Sequence, residues 1–349
     1  MDKREKIKAV AMISGGLDST LAAKIIKDQG IEVHGINFNT GFCLTDFRSQ
    51  VPNPKKPGQI VRNEALRAGS DIRFPVEIID ISQEYVGAVV TKPKYGYGSA
   101  MNPCIDCRIF MFKRAKKYMD EVGAKFIFTG EVLKQRPMTQ FARTLKLIET
   151  ESGLERLILR PLSARLLPIT IPEERGWVNR ERLLDIEGRQ RIRQMHLADV
   201  LQIGEYPTPA GGCCSLVDKN FGRRIKDVMS NEGLENTNQT DLVLLKVGRH
   251  FRLPDGTKVI VGRNEAENNF LKRYKNGYWT FESRDFMGPV ALSHNESGKL
   301  DMEAAAALTA RYCDGKTQDS VIVNYDHDDD HGEISVSPAS EEFVTKYRL

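Results

Sequence analysis

The chain has 349 residues, 40% of them hydrophobic and 28% charged, with a formal net charge of +4. That length allows two or three domains, and the composition is that of a globular protein rather than a disordered or fibrous one. No apolar run approaches a membrane span, and the start, Met1-Asp2-Lys3-Arg4-Glu5-Lys6, leads directly into a strand pattern. The expectation is therefore a cytoplasmic protein without a membrane partner.

Val10-Ala11-Met12-Ile13 predicts a strand. Ser14-Gly15-Gly16-Leu17-Asp18-Ser19 follows it, and a helix pattern runs from 20 to 29 before Gly30. A glycine turn between strand and helix presents backbone N–H groups where the helix dipole favours phosphate. The two glycines permit positive φ and close backbone approach. The hydroxyls of Ser14, Ser19 and Thr20 add donors, and Asp18 suits loop orientation or a metal ion. A Walker A lysine and the third glycine of a dinucleotide fingerprint are both missing.

The pattern predicts strands at 31–38, 76–79 and 126–129, helices at 60–68 and 109–122, and a loop at 52–58. Strands separated by helices imply a parallel sheet, whose ligands bind beyond the carboxyl ends of the strands. Ser14, Phe38, Asp80 and Gly130 all follow strand ends and so share one rim. Residues 161–172 are rich in Leu, Arg and Pro, and 175–201 is basic with a mostly helical pattern. Residues 208–212 read as a loop and 230–239 as a polar linker. Strands are expected at 242–247 and 258–261, around the turn Pro254-Asp255-Gly256. The acidic, histidine-bearing stretch 326–331 reads as a solvated turn rather than a metal site.

Six cysteines in a cytoplasmic protein are thiols or metal ligands rather than a disulfide framework. Cys104 and Cys107 form a Cys-x-x-Cys pair, placed in a loop just before a helix and next to Arg108. A thiol at a helix N-terminus near cations is expected to be acidic. Gly211-Gly212-Cys213-Cys214 is a second pair. Four such thiols fit zinc, three fit an iron–sulfur cluster with one open iron, and a redox pair or buried structural thiols are the other readings. Cys43 and Cys313 read as packing residues.

The segment from Ser14 to Ser19 resembles the PP-loop of the N-type ATP pyrophosphatases. Taken with Gly35-Ile36-Asn37-Phe38, Asn102-Pro103-Cys104-x-x-Cys107 and Thr129-Gly130-Glu131, it resembles the tRNA 2-thiouridylases. Residues 129–140 are also similar to a segment of the 4-thiouridine synthases, and the cysteine pattern is similar to that of iron–sulfur-dependent tRNA thiolation enzymes. This resemblance covers roughly residues 5 to 220. It implies an α/β fold, a doubly wound parallel sheet of the adenine nucleotide alpha hydrolase-like PP-loop type, with a smaller α+β C-terminal domain. The corresponding boundaries are 1–205 for the PP-loop adenylation domain, 206–235 for the cysteine-bearing loop and linker, and 236–349 for the last domain.

The same resemblance makes Ser14, Gly15, Gly16, Asp18 and Ser19 the pyrophosphate grip and sets Phe38 and Gly130 against the nucleotide. Cys107 takes the place of the first catalytic cysteine, and Cys213 or Cys214 that of the second. Cys104, Cys107, Cys213 and Cys214 are the candidate metal ligands. Two departures stand out: Glu131-Val132 where the thiouridylases usually carry His-Tyr, and a double cysteine in place of one. Residues 240–327 resemble the RNA-binding domain of the NFACT proteins. There Lys246, Arg249, His250, Arg252, Lys258, Arg263, Lys272 and Arg273 are candidate phosphate contacts, and Tyr274 and Trp279 candidate stacking platforms.

The implied function is an ATP-dependent tRNA sulfurtransferase using ATP, Mg²⁺ and a 4Fe-4S cluster, with tRNA and a sulfide or persulfide carrier as partners. Adenylation turns a uracil oxygen into a leaving group that sulfur displaces. Basic segments 134–143 and 175–193 would carry the tRNA. A PP-loop ligase of amidotransferase type acting on a non-RNA substrate, and a non-enzymatic RNA-binding protein, are the alternatives.

Overall fold

A computed structural model describes residues 6–43, 62–207, 213–234, 237–294 and 301–349. The expected loops at 52–58 and 208–212 lie outside the described residues. The chain divides into two compact units, one from Met1–Asp46 and Arg62–Cys214, the other from Phe47–Val61 and Ser215–Leu349. Among the described residues no helix is long and apolar enough to cross a membrane.

The first unit is built on β1 (Lys8–Met12), α1 (Leu17–Lys27), β2 (Glu32–Asn39), α2 (Glu64–Ile72), β3 (Val76–Asp80), α3 (Cys104–Glu121), β4 (Phe126–Thr129), α4 (Ala142–Ser152) and β5 (Ile158–Leu159). The strands form a parallel sheet in the order β3-β2-β1-β4-β5. β1 and β4 are buried along most of their length, which is why they read as continuous apolar runs rather than alternating ones. Met12 pairs with both Ile36 and Thr129. The residues that follow, Ser14, Phe38 and Gly130, therefore stand on one rim, as expected.

The stretch 175–201 is less helical than its pattern suggests. A single turn at Arg180–Arg182 is followed by Gly188 at positive φ, and only Ile192–Val200 (α5) is a regular helix. α5 packs Ala198 against Leu17 and Leu21 of α1.

The second unit contains α6 (Lys219–Asn231), α7 (Gln239–Leu244), β6 (Arg249–Arg252), β7 (Lys258–Val261), α8 (Glu265–Leu271), β8 (Trp279–Ser283), β9 (Val290–His294), α9 (Met302–Arg311), β10 (Val321–His327), β11 (Asp330–Val336) and α10 (Glu341–Tyr347). Its antiparallel sheet runs β11-β10-β8-β9-β7-β6. The strand expected at 242–247 is instead the body of α7 and the turn after it. Asn238 caps that helix by accepting from the Asp241 amide at 2.9 Å, and a short apolar run carries no period of its own to oppose the cap. The stretch 326–331 is not a free loop but the tip of the β10–β11 hairpin, turning at Asp328, with His327 stacked on Trp279 at 4.7 Å.

Candidate nucleotide and thiol site

The glycine loop is held open by its own hydroxyls. Ser14 N donates to Ser19 Oγ at 3.3 Å, Gly16 N to Ser14 Oγ at 3.4 Å, and Ser19 Oγ to Gly16 O at 2.9 Å. Asn37 Nδ2 donates to Ile13 O at 2.7 Å and fixes the strand end that feeds the loop. Gly16 is the N-cap of α1 and has no side chain to occupy the first-turn amides, so these stay available to an anion. Gly15 has φ +72°, and a Cβ there would lie 2.1 Å from the Glu64 carbonyl carbon. A Cβ on Gly130 would lie 2.3 Å from Ser19 N, so residue 130 presses directly on the first turn of α1.

Asp18 is nearly buried. Its Oδ2 accepts from Arg191 Nη2 at 2.9 Å and from Gln135 Nε2 at 3.2 Å, while its Oδ1 is buried without a hydrogen-bond partner among the described residues. A buried carboxylate oxygen left unmatched is costly, and it is the hard oxygen donor that Mg²⁺ takes. The residues present therefore fit the ion.

Cys104 and Cys107 are not in a loop before the helix: they form the first turn of α3, after Pro103. Asn102 Nδ2 donates to Cys104 Sγ at 3.1 Å. The expected acidity of this pair is reversed. Burial pushes Cys104 up and drives Cys107 up to about 12, where neighbouring thiolate charge adds to it. The helix terminus and Arg108 do not offset that desolvation.

The acidic thiol is Cys213, drawn down to about 6. A hydrogen bond from the Cys214 thiol is the main cause, opposed by burial and helped by Arg136 and Arg108. Cys104 and Cys107 both sense the charge of Cys213, so these three thiols come together. Tyr85, almost wholly buried, is pushed far up by burial and by Cys107, Cys214 and Cys213. Three or four thiols are the donor set that suits iron or zinc. Among the described residues, however, no three His, Cys, Asp or Glu side chains stand in a metal-holding arrangement.

Glu131, where the sequence departs from the thiouridylase pattern, links the two halves of the site. Its carboxylate is 3% exposed and pairs with Arg108, one residue after Cys107, and with Arg160 at 3.1 Å. Burial raises the Glu131 carboxyl, but Arg108 and Arg160 outweigh it and leave the group below the ordinary carboxylate range. Arg160 also reaches Glu149.

The structure thus brings Ser14, Gly15, Gly16, Asp18, Ser19 and Gly130 together, with Phe38 buried at the β2 end of the same rim. Five participants were not singled out in the sequence: Cys43, Tyr85, Gln135, Arg136 and Arg191. Gln135 and Arg136 lie inside the quoted segment 129–140 and Arg191 inside the basic segment 175–193, whereas nothing local marks Cys43 or Tyr85 as part of the site. Cys43, read as a packing residue, instead makes an antiparallel bridge to Cys214. Cys313 does pack, at 2% exposure. The basic segments are partly spent inside the unit: Lys134 pairs with Glu187, Arg180 with Glu173 and Arg193 with Asp185.

The phosphate contacts expected in the second unit are mostly committed as well. His250 is fully buried and its Nε2 donates to Val247 O at 2.7 Å, and Lys258 is buried beside Glu232. Arg252 pairs with Asp227 and Glu232, Arg263 with Glu267, and Lys272 with Glu282. Trp279 is covered by Tyr325 and His327, and Tyr274 packs on Phe270 at 5.0 Å. Arg273 is exposed and makes no ion pair among the described residues.

Residues 7–152 match the family described as tRNA methyl transferase HUP domain, and residues 248–348 match the NFACT protein RNA binding domain. A tRNA-specific 2-thiouridylase MnmA of Syntrophotalea carbinolica is 32% identical over 133 residues, 37% of this chain and 36% of that protein. Its counterpart in Cytophaga hutchinsonii is 23% identical over 305 residues, 79% of this chain and 78% of that one. The first match therefore spans little more than a third of that relative's length. A 4-thiouridine synthetase–RNA complex with bound ATP aligns with TM-score 0.33 and 20% identity, over 56% of this chain and 51% of the other. U34-tRNA thiolase NcsA from Methanococcus maripaludis with its 4Fe-4S cluster aligns with TM-score 0.33 and 16% identity, over 70% and 74%. At these scores the two structures carry no functional argument. The kinship drawn from the motifs is the one the family and sequence matches find.

Proposed function

We propose that this relative of the tRNA 2-thiouridylases is an ATP-dependent tRNA sulfurtransferase that adenylates a uridine carbonyl oxygen and replaces it with sulfur. The observation that carries this reading is the physical coupling of two sites. Gly130 packs on the phosphate-gripping turn, and its neighbour Glu131 is ion-paired to Arg108, one residue beyond Cys107. An activation site and a sulfur site are thereby fixed to each other by adjacent residues.

In this reading the first-turn amides of α1 and the hydroxyls of Ser14 and Ser19 hold the pyrophosphate, and Phe38 and Gly130 line the nucleotide. Asp18 Oδ1 would ligate Mg²⁺, which neutralises the phosphate charge when bound. Although no metal-holding arrangement of three such side chains stands among the described residues, Cys104, Cys107 and Cys213 are the thiols that would hold a 4Fe-4S cluster, which would supply a site for sulfide. A hydrogen bond from Cys214, helped by Arg136 and Arg108, draws the Cys213 thiol down to about 6. Residues 248–348 would hold the tRNA.

The test is a mass spectrum of tRNA nucleosides from a strain lacking the gene. A thionucleoside should disappear and return with the wild-type gene but not with Asp18→Asn. An unchanged nucleoside profile would sink the proposal, and adenylation that proceeds without RNA would favour a small-molecule ligase. Anaerobically purified protein should be brown, and Cys104→Ala or Cys107→Ala should remove the colour. A colourless protein with stoichiometric zinc would remove the cluster from the scheme.

A further inference from the structure

The peptide between Gly15 and Gly16 joins two residues without side chains, and Gly15 sits at φ +72°. Such a peptide reverses at little steric cost. A trans peptide holds its C=O and N–H on opposite sides. Reversal would therefore turn the Gly16 N–H away from an anion in the loop and put the Gly15 carbonyl oxygen in its place.

Arg67 of α2 opposes that reversal. Its side chain is 7% exposed and all three of its guanidinium nitrogens are engaged. Nε pairs with Glu64 at 2.6 Å, Nη1 with Asp71 at 2.6 Å, and Nη2 donates to Gly15 O at 3.2 Å. The two carboxylates lie one turn before and one turn after Arg67 on the same helix, where side chains three and four apart are neighbours. α2 thus orients the fork by itself and delivers the third nitrogen to the loop. The helix is seated there as well: the Glu64 backbone lies where a Cβ on Gly15 would fall, and Asn63 caps α2 by accepting from Ala65 N and Leu66 N at 3.0 and 3.1 Å. With Gly15 O drawn toward α2, the Gly16 N–H faces the other way, toward Ser14 Oγ at 3.4 Å, on an exposed residue.

We propose that Arg67 is a positioning residue of the pyrophosphate grip: it holds the Gly15–Gly16 peptide with its N–H toward the phosphates and does not itself touch the nucleotide. This deepens the adenylation reading and rests on it for the identity of the anion. A hydrogen bond from a guanidinium to a carbonyl is stronger than a neutral one. The charge of Arg67 is offset by Glu64 and Asp71, so what it contributes is orientation rather than attraction. Cleavage between the α and β phosphates gathers negative charge on the departing pyrophosphate, and N–H groups fixed in advance stabilise such charge.

The experiment is calorimetry on the whole protein, with ATP, inorganic pyrophosphate and adenosine as separate probes. Arg67→Met keeps the length and the apolar stem and removes the donors. It should bind ATP and pyrophosphate about tenfold more weakly, or about 1.4 kcal/mol, while its affinity for adenosine stays within about twofold of wild type. Arg67→Lys keeps a cationic donor and should recover part of the pyrophosphate affinity. Asp71→Asn, at a half-exposed position, frees one arm of the fork and should show a smaller loss of the same kind, about threefold for pyrophosphate. Unchanged pyrophosphate affinity in a folded Arg67→Met would overturn the assignment, and so would the absence of any loss in Asp71→Asn should the methionine variant not fold. Equal losses for adenosine and pyrophosphate would also overturn it, because they mark a general loosening of the unit. A wild type that binds none of the three probes would remove the adenylation reading and this assignment together. A wild type that thiolates no tRNA, while Arg67→Met shows the expected selective loss, would sink the sulfurtransferase reading and leave Arg67 standing.

Discussion

The two units contain the same kinds of charged side chain and use them in opposite ways. In the parallel-sheet unit the rim keeps polar groups unmatched or poised: Asp18 Oδ1 has no partner among the described residues, and Cys213 is held acidic beside two thiols that are not. In the antiparallel unit the cations are consumed by neighbours, Arg252 by Asp227 and Glu232, Arg263 by Glu267. A basic residue that already has a carboxylate is part of the scaffold, because recruiting it to a ligand costs the pair it leaves. The count of charges in a segment therefore says little about binding, and the partners say much.

The largest effect that would break this contrast comes from Glu131, a carboxylate at the functional rim that pairs with two arginines. Glu131→Ala leaves the half-buried Arg108 without its carboxylate and the buried Arg160 with Glu149 alone, and should cost about 3 kcal/mol, read from denaturant unfolding. Glu131→Gln keeps an acceptor and should cost less. A loss under about 1 kcal/mol in the alanine variant would mean that Glu131 is not what joins the two sites. Next in size is Gly130→Ala. Its Cβ would meet backbone rather than a side chain, so the first turn of α1 must shift. The expected stability cost is about 1–3 kcal/mol. Nucleotide affinity, measured by calorimetry, should fall by at least about tenfold, or about 1.4 kcal/mol. Gly87→Ala, with nothing within 4 Å of the added Cβ, is the control and should bind nucleotide normally.

What the sequence disclosed follows the range of the forces involved. The PP-loop was legible because strand, Gly15, Gly16 and helix are consecutive, and the turn needs only local backbone freedom. The parallel sheet was legible because buried strands are apolar runs. The 242–247 segment was misread because five apolar residues around Lys246 fit strand and helix alike, and Asn238 settled it from outside the run. The acidity of the thiols was illegible, because a helix terminus argues for acidic Cys107 while the burial that outweighs it comes from distant chain. Cys43 carried no signal, since its partner lies far along the sequence.

A smaller effect probes a buried group of the second unit that is only half matched: His250 Nε2 donates to Val247 O, and its Nδ1 has no hydrogen-bond partner among the described residues. Burial, aided by Arg224 and Lys258, holds the His250 imidazole well below its ordinary value of 6.5. The unfolded chain then binds the proton more readily than the folded one, so stability rises with pH across this interval. His250's contribution is complete above about pH 6.5 and is lost as the pH falls from there toward the folded value. Thermal unfolding followed from pH 8 to pH 5 should show a falling melting temperature below about 6.5, and His250→Gln should flatten that slope. An equal slope in the variant would assign the acid sensitivity elsewhere.

The smallest effect tests whether partnership, rather than charge, decides which cations meet RNA. Lys272 and Arg273 are adjacent and exposed, but Lys272 is paired with Glu282 at 2.8 Å and Arg273 is not paired among the described residues. If a free cation contributes a phosphate contact, Arg273→Ala should reduce the salt dependence of tRNA binding by about one unit of slope. Lys272→Ala should leave that slope nearly unchanged, because the exposed pair it breaks is worth at most about 1 kcal/mol and its charge was already offset. Filter binding across a salt series separates the two. Equal losses would show that net charge alone draws RNA to this face. A loss confined to Arg273 would make the absence of a carboxylate partner the mark by which an RNA-contacting cation is told from a structural one.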